Sequence, residues 1–392
     1  MTRFIIHAGY GKTGTTALQT FLRDSRPKLA QHGILYPDFR HYGIRLDVND
    51  HNNLAYALGD QFNWLKWPAE KYFAQIDAQL SNQPALNTVL LSGETFMGAP
   101  QPHVFTDEVA YWEAYQAKLK KLKSLIGNHP SSIVIYVRRQ DDWVDASLNQ
   151  TIKFYGLSRR PPDTSVDGYI KAVAPRLDYY RQASLWADIF GQENVQVRIY
   201  DRQLLKDRDI IADFVDHLDL PVDMLSERRE LGASEANDRL TRDLAEVKRI
   251  LNRIARPKEH ERTLGVTLRQ ISADMCQQAN NADYALLSNE QRRCITETYA
   301  ESNRMLIEQF LNNDMNALQV MNALPAEKAD YPGLKIEKAI EIMHRLKDTE
   351  QQVRRRNRIR GVLIVIRSRY PFFHAMLRLA QHCKLACFRK FN

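Results

Sequence analysis

Three apolar runs rich in β-branched residues mark the first half of the chain: Phe4-Ile5-Ile6, Thr88-Val89-Leu90-Leu91 and Ser132-Ile133-Val134-Ile135-Tyr136-Val137. A fourth, Val195–Tyr200, alternates more. Near-continuous apolar runs of this length predict strands buried on both faces, as in a parallel sheet covered by helices. Between them lie helix-length amphipathic segments over Thr15–Arg23, Ala69–Leu80, Tyr111–Ile126 and Asp141–Phe154. Strand and helix in alternation predict an α/β fold, a doubly wound parallel sheet flanked by helices. In such folds ligands bind beyond the carboxyl ends of the strands, so the residues just after each run are where chemistry is expected.

From Leu231 to about Leu311 the pattern turns helical. Asn312-Asn313-Asp314 and Asp330-Tyr331-Pro332-Gly333 read as a boundary. The expected organisation is a domain over 1–315, with a core over 1–220 and a helical part over 231–311. A linker over 316–334 and a basic helical extension over 335–392 follow. In the extension Ile336, Ala339, Met343, Leu346, Glu350 and Val353 recur at steps of three and four, a short imperfect heptad track better suited to a single helix than to a coiled coil.

Composition adds limits. The 392 residues are 44% hydrophobic and 26% charged, ordinary for a globular enzyme and unlike a disordered or fibrous chain. Four cysteines (Cys276, Cys294, Cys383 and Cys387) build neither a disulfide framework nor a CxxC pair, and read as reduced thiols of the cytoplasm. The opening MTRFIIHAGYGKTG reads as a strand and not as a leader, and no uncharged apolar stretch reaches the ~18 residues of a membrane span. The net charge of +8 is localised: residues 351–392 hold eleven Lys and Arg and no acid, leaving 44 basic against 47 acidic residues before them. A basic tail on a mildly acidic body does not predict a nucleic-acid-binding face. The tail combines an amphipathic stripe with arginines. It predicts either a peripheral contact with an anionic membrane, at the inner face if the protein is cytoplasmic, or a helix packed on the body, or an attractor for an acidic glycan.

The candidate chemistry starts after the first run. Gly9-Tyr10-Gly11-Lys12-Thr13-Gly14-Thr15-Thr16 joins a strand to an amphipathic helix. Glycines let successive N–H groups turn inward at a helix N-terminus, where the dipole favours an anion. Lys12 adds a charge, and Thr13, Thr15 and Thr16 add hydroxyl donors. The competing reading is a tight turn with a capping threonine. A nucleotide-triphosphate loop G-x-x-x-x-G-K-[ST] would need glycine where Ile6 stands. The stretch Lys12-Thr13-Gly14-Thr15-Thr16-Ala17-Leu18 instead resembles the phosphosulfate loop of sulfotransferases that use 3′-phosphoadenosine 5′-phosphosulfate (PAPS), in the form of the heparan N-sulfotransferase branch and bacterial carbohydrate sulfotransferases.

The resemblance covers about residues 1–220 and implies a P-loop-like sulfotransferase fold with PAPS as co-substrate. It implies donor binding by Gly11, Lys12, Thr13, Gly14, Thr15 and Thr16. It also implies a 3′-phosphate site made by an Arg at a strand end and a Ser eight residues on, a spacing that Arg139 and Ser147 have. Arg138 is the neighbouring register. The plainer reading pairs Arg139 with Asp141 or Asp142 and makes Ser147 a packing residue. Lys12 would stabilise the leaving oxygen. For the base the resemblance implies a carboxylate or a histidine after the second run, and Glu94 in Leu91-Ser92-Gly93-Glu94 is the expected one. Its alternative is an N-terminal acid of a helix capped by Ser92. His51 competes as base, against the reading of a solvated surface histidine. His32, His41 and His51 are not spaced for a metal, and none is expected. The expected activity is sulfuryl transfer to a hydroxyl or amine of a glycan or glycolipid. The alternatives are a P-loop kinase and a non-catalytic, membrane-docked nucleotide-binding protein.

Overall fold

The computed structural model describes residues 1–39, 50–59, 67–98, 107–154, 165–227, 239–252 and 284–349, with positions 264, 267, 268, 271, 272 and 351. The expectations for the basic tail from 352 onward lie outside these residues.

Five strands form one all-parallel sheet: β1 (Arg3–His7), β2 (Ile34–Leu35), β3 (Thr88–Ser92), β4 (Ser131–Val137) and β5 (Val195–Ile199), in the order β2-β3-β1-β4-β5. β1 lies at the centre, with Ile5 opposite Leu90 on one side and Ser132 on the other. The chain leaves β1 toward the β3 side and crosses back to β4, so the carboxyl end of β1 is the switch point of the topology. β2 is two residues long, too short for any periodicity to reveal. The run at 88–92 is therefore the third strand in chain order and not the second.

The strands alternate their side chains between two helical layers. Ile5, Leu90, Val134 and Tyr136 pack with Leu18, Phe21 and Leu22 of α1 (Thr15–Asp24), Leu29 of α2 (Arg26–Gln31) and Phe214 of α9 (Ile210–His217). Phe4 points the other way and stacks on Phe73 of α4 (Ala69–Asn82). The remaining helices of this part are α3 (Asn52–Ala57), α5 (Glu108–Ile126), α6 (Gln140–Phe154), α7 (Val166–Val173) and α8 (Tyr179–Phe190). Neither α7 nor α8 is apparent from the runs of apolar residues. α8 buries Tyr179, Ala183, Trp186 and Phe190, and its stripe is carried by aromatics.

The chain forms two compact units, one of residues 1–151, 157–239 and 282–331, the other of 152–156, 240–281 and 332–392. The first unit continues past α9 into α11 (Asn289–Phe310) and α12 (Met315–Asn322). The stretch expected as a linker over 316–334 thus begins as a helix. Asp314 caps it, Ala317 and Met321 are buried, and Asn322 bonds Asn303 across to α11 at 2.9 Å. The second unit contains α10 (Arg242–Asn252), whose Asn252 donates to the Ile152 carbonyl at 3.1 Å, and a helix over 336–349. In that helix Ile342 and Leu346 are the buried positions, whereas Ile336 and Met343 of the heptad track are exposed. The units interleave in sequence, which a boundary read from turn-forming residues does not show.

Candidate active site

The loop after β1 is built on two left-handed residues. Lys12 has φ 73° and Gly14 φ 74°. Gly14 caps α1 by position and has no side chain to reach the first-turn N–H groups; its carbonyl accepts from those of Ala17 and Leu18, while among the described residues those of Thr15 and Thr16 have no acceptor at the positive end of the helix. A Cβ on Gly14 would stand 2.9 Å from the Tyr200 ring beyond β5, which excludes other residues on space as well as on φ. Thr13 is turned inward: it is buried, and its hydroxyl donates to the Tyr10 carbonyl at 2.5 Å. Its hydroxyl therefore ties the loop together. Thr16, beside it at the start of α1, stays partly exposed.

Lys12, Thr15 and Glu94 converge. The Thr15 hydroxyl donates to Glu94 Oε1, and Glu94 Oε2 lies 2.9 Å from where a Cβ on Gly11 would be. Lys12 Nζ donates to Gln150 Oε1 of α6 at 2.7 Å. Burial pushes the Lys12 ammonium down to about 8; Glu94 opposes that shift and Arg138 adds to it. A lysine so placed is a cation readily strengthened by an incoming anion. Glu94 opens a 3₁₀ turn (Glu94–Phe96) whose N-cap is Gly93. Ser92, read as the alternative cap, instead bonds His7 Nδ1 at 2.8 Å. The turn is held by Asn52, whose side-chain oxygen accepts from the Thr95 N–H at 3.0 Å and its hydroxyl at 2.9 Å.

His51 is neither a solvated histidine nor a group on the open side of the loop. It is fully buried; Nδ1 accepts from the Ser92 N–H at 2.9 Å and Nε2 donates to the Pro37 carbonyl at 3.2 Å. Burial holds it down at about 3. Both ring nitrogens are thus engaged in pinning the end of β3.

Arg139 and Ser147 have partners of their own. Arg139 makes two hydrogen bonds of 3.1 Å to Asp141, which Arg292 of α11 also grips at 2.9 Å. Ser147 Oγ bonds the Tyr169 hydroxyl at 2.7 Å. Arg138 faces the loop: its Nη1 reaches the Lys12 carbonyl at 3.4 Å, and it makes a longer 3.7 Å pair with Asp142. Of the two arginines, Arg138 is the one that bonds the loop.

Two groups in the site escape a motif-based reading. Gln150 is one helical turn beyond Ser147 and was reachable from the 3.6-residue period of α6. Asp50, next to His51 in sequence, accepts from the Asn52 N–H at 3.0 Å, and burial pushes its carboxyl up to about 6, with Glu94 adding to the rise. Nothing in its sequence context separates it from a surface aspartate. Among the described residues no group of His, Cys, Asp and Glu could hold a metal ion, and no helix is long and apolar enough to cross a membrane.

No protein-family model and no solved structure matches this chain. Over 106 residues it is 32% identical to an uncharacterized protein of Archaeoglobus fulgidus, a stretch that is 26% of this chain and 27% of the relative. The chain therefore matches about a quarter of that relative's length.

Proposed function

We propose that the protein is a PAPS-dependent sulfotransferase with a P-loop-like fold, acting on a hydroxyl or amine of a glycan or glycolipid. The observation that carries this reading is the convergence of Lys12, Thr15 and Glu94 on a left-handed loop at the carboxyl end of the central strand. Such a loop offers open N–H groups and one cation to a phosphosulfate, and a carboxylate stands across from them.

In the proposed reaction the acceptor oxygen or nitrogen attacks sulfur in line, and the bond from sulfur to the bridging phosphate oxygen breaks. The electron pair passes to that oxygen, where the Lys12 ammonium stabilises it. Glu94 takes the acceptor proton, and adenosine 3′,5′-bisphosphate leaves. Arg138, turned toward the loop, is the better-placed arginine for a donor phosphate, because Arg139 is already committed to Asp141. The reading places the protein in the cytoplasm, with the basic tail as a possible peripheral membrane contact.

One observation favours a second reading. A hydroxyl and an acid in contact, Thr15 and Glu94, also make a pair that could bind Mg²⁺ in a P-loop kinase. The hydroxyl next to the lysine argues against it, since Thr13 is spent on the Tyr10 carbonyl.

The test is binding and turnover together. Adenosine 3′,5′-bisphosphate is expected to bind at least about tenfold more tightly than AMP by calorimetry, the contribution of one charge-assisted phosphate contact. PAPS turnover with a pooled glycan acceptor is expected to persist in EDTA. Equal affinity for the two nucleotides, or ATP turnover that needs Mg²⁺, sinks the sulfotransferase reading.

A further inference from the structure

Among the described residues, Arg176 has no counter-ion. It ends the short 3₁₀ turn Ala174–Arg176 between α7 and α8, and its guanidinium lies over the rings of Trp143 and Tyr10, 5.0 and 5.8 Å from their centroids. Its Nε is buried and, among the described residues, has no hydrogen-bond partner. Buried donors of this kind are rare, because leaving one unpaired costs its full desolvation.

The surroundings do not neutralise it. Lys118 of α5 is buried nearby and spends its ammonium on the carbonyls of Thr95 and Gly98, the latter at 3.0 Å. Burial, together with the charge of Arg176, pushes that ammonium down to about 7. Tyr10, Tyr115 and Tyr179 crowd the same space, and burial raises all three phenols, which therefore stay neutral. The result is two basic side chains against an aromatic wall; Asp141 adds to the rise at Tyr179, but among the described residues no acid pairs with Arg176 or Lys118. A guanidinium stacked on aromatic rings keeps its edge free for a planar, two-pronged oxyanion.

Position connects this group to the site. Tyr10 belongs to the loop after β1, Thr95–Gly98 to the turn after β3, and Trp143 to the helix after β4. Arg176 thus stands at the same end of the three central strands as Lys12. The Trp143 indole touches both: its N–H donates to the Gly11 carbonyl at 2.8 Å, and its ring lies under the guanidinium. Arg176 meets the loop through Tyr10, whose ring lies against the guanidinium and whose hydroxyl donates to the Arg176 carbonyl at 2.8 Å, and it is only half-buried. A Cβ on Gly98 would come 2.7 Å from the Tyr111 hydroxyl and 3.7 Å from Arg176 Nε, so the glycine lets the turn after β3 lie close to both.

We propose that Arg176 binds an oxyanion, a carboxylate or a sulfate, carried by the acceptor, so that the enzyme selects acidic over neutral acceptors. This rests on the sulfotransferase reading only in assigning the anion to the acceptor. That reading gives the loop, Lys12 and Arg138 to the donor, whereas Arg176 lies over the ring faces of Trp143 and Tyr10 and not at the Trp143 N–H that bonds Gly11.

The experiment titrates the full-length protein with glucuronate, inorganic sulfate, glucose and adenosine 3′,5′-bisphosphate. It follows the Arg176 Nε–H signal by NMR, assigned by its loss in Arg176→Lys, and affinity by calorimetry. Glucuronate or sulfate is expected to shift that signal and glucose is not. Arg176→Gln is expected to weaken the anion about tenfold while leaving bisphosphate affinity within about threefold. A signal that answers to the bisphosphate alone makes Arg176 a donor contact and overturns the proposal. So does a signal that no anion moves, or anion binding unchanged in Arg176→Gln. If that variant does not fold, the wild-type NMR titration decides by itself. Should glucuronate or sulfate bind at Arg176 while the bisphosphate does not bind at all, the donor reading fails and the anion site stands.

Discussion

Arg139 and Asp141 meet through two parallel hydrogen bonds of 3.1 Å, and Asp141 is 1% exposed. That contact turns two adjacent arginines into different residues. Arg139 belongs to a buried Arg139–Asp141–Arg292 cluster, and Arg138 belongs to the loop. Arg138→Ala is therefore expected to weaken adenosine 3′,5′-bisphosphate about tenfold with little change in Tm, since its surface pair with Asp142 contributes at most ~1 kcal/mol. Arg139→Ala should do the reverse. Asp141→Asn should be worst for stability, by about 3–5 kcal/mol, because it leaves two arginines with only the 3.7 Å contact of Arg292 to Asp142 as counter-charge. Thermal melts and nucleotide titrations of the three variants check all of this; nucleotide binding lost in Arg139→Ala alone would return the phosphate site to the Arg139 and Ser147 pair.

Lys12 predicts a pH dependence. Its ammonium titrates near 8, and the charged form is the one that holds an anion. Nucleotide affinity should be flat below about pH 7 and fall above 8, by up to about tenfold per pH unit, because binding takes up one proton. Lys12→Arg should flatten the profile. Glu94 supports the charge, so Glu94→Gln should move the fall to lower pH. Calorimetry across pH reads each shift.

The contact between Gly11 and Glu94 is testable by a single methyl group. Gly11→Ala puts a Cβ 2.9 Å from Glu94 Oε2 and must displace the carboxylate. Turnover should fall about 10²–10⁴-fold, as for Glu94→Gln, with nucleotide affinity nearly unchanged. A Gly11→Ala enzyme with wild-type kcat would remove Glu94 as the base.

His7 and His51 predict acid sensitivity. Burial holds both at about 3, against 6.5 for a free imidazole. The unfolded chain takes up protons below pH 6.5 that the folded chain refuses, so stability falls as pH drops from 6.5 toward 3. His7→Asn keeps a polar atom for Ser92 and removes one titration. Its Tm should be lower at pH 7 and its slope with pH shallower.

The buried strands were legible because a parallel sheet covered on both faces needs uninterrupted apolar runs, as at Ile133–Val137, short and rich in β-branched residues. The loop was legible because Gly14 answers a left-handed backbone and Lys12 and the threonines cluster around it in sequence. What the sequence hid depends on distance in the chain. Whether Arg138 or Arg139 faces the loop is decided by Arg292, some 150 residues downstream, which claims Asp141. Burial of His51 depends on Pro37, Tyr36 and Ser92 closing around it, and a histidine in Asp50-His51-Asn52-Asn53 carries no local sign of that.

The left-handed φ of Lys12 sets thermal robustness and turnover against each other at one position. Any residue with a Cβ is disfavoured there by about 1 kcal/mol, and glycine is not. A library screened for heat resistance should therefore enrich Lys12→Gly, and every such winner should be catalytically dead.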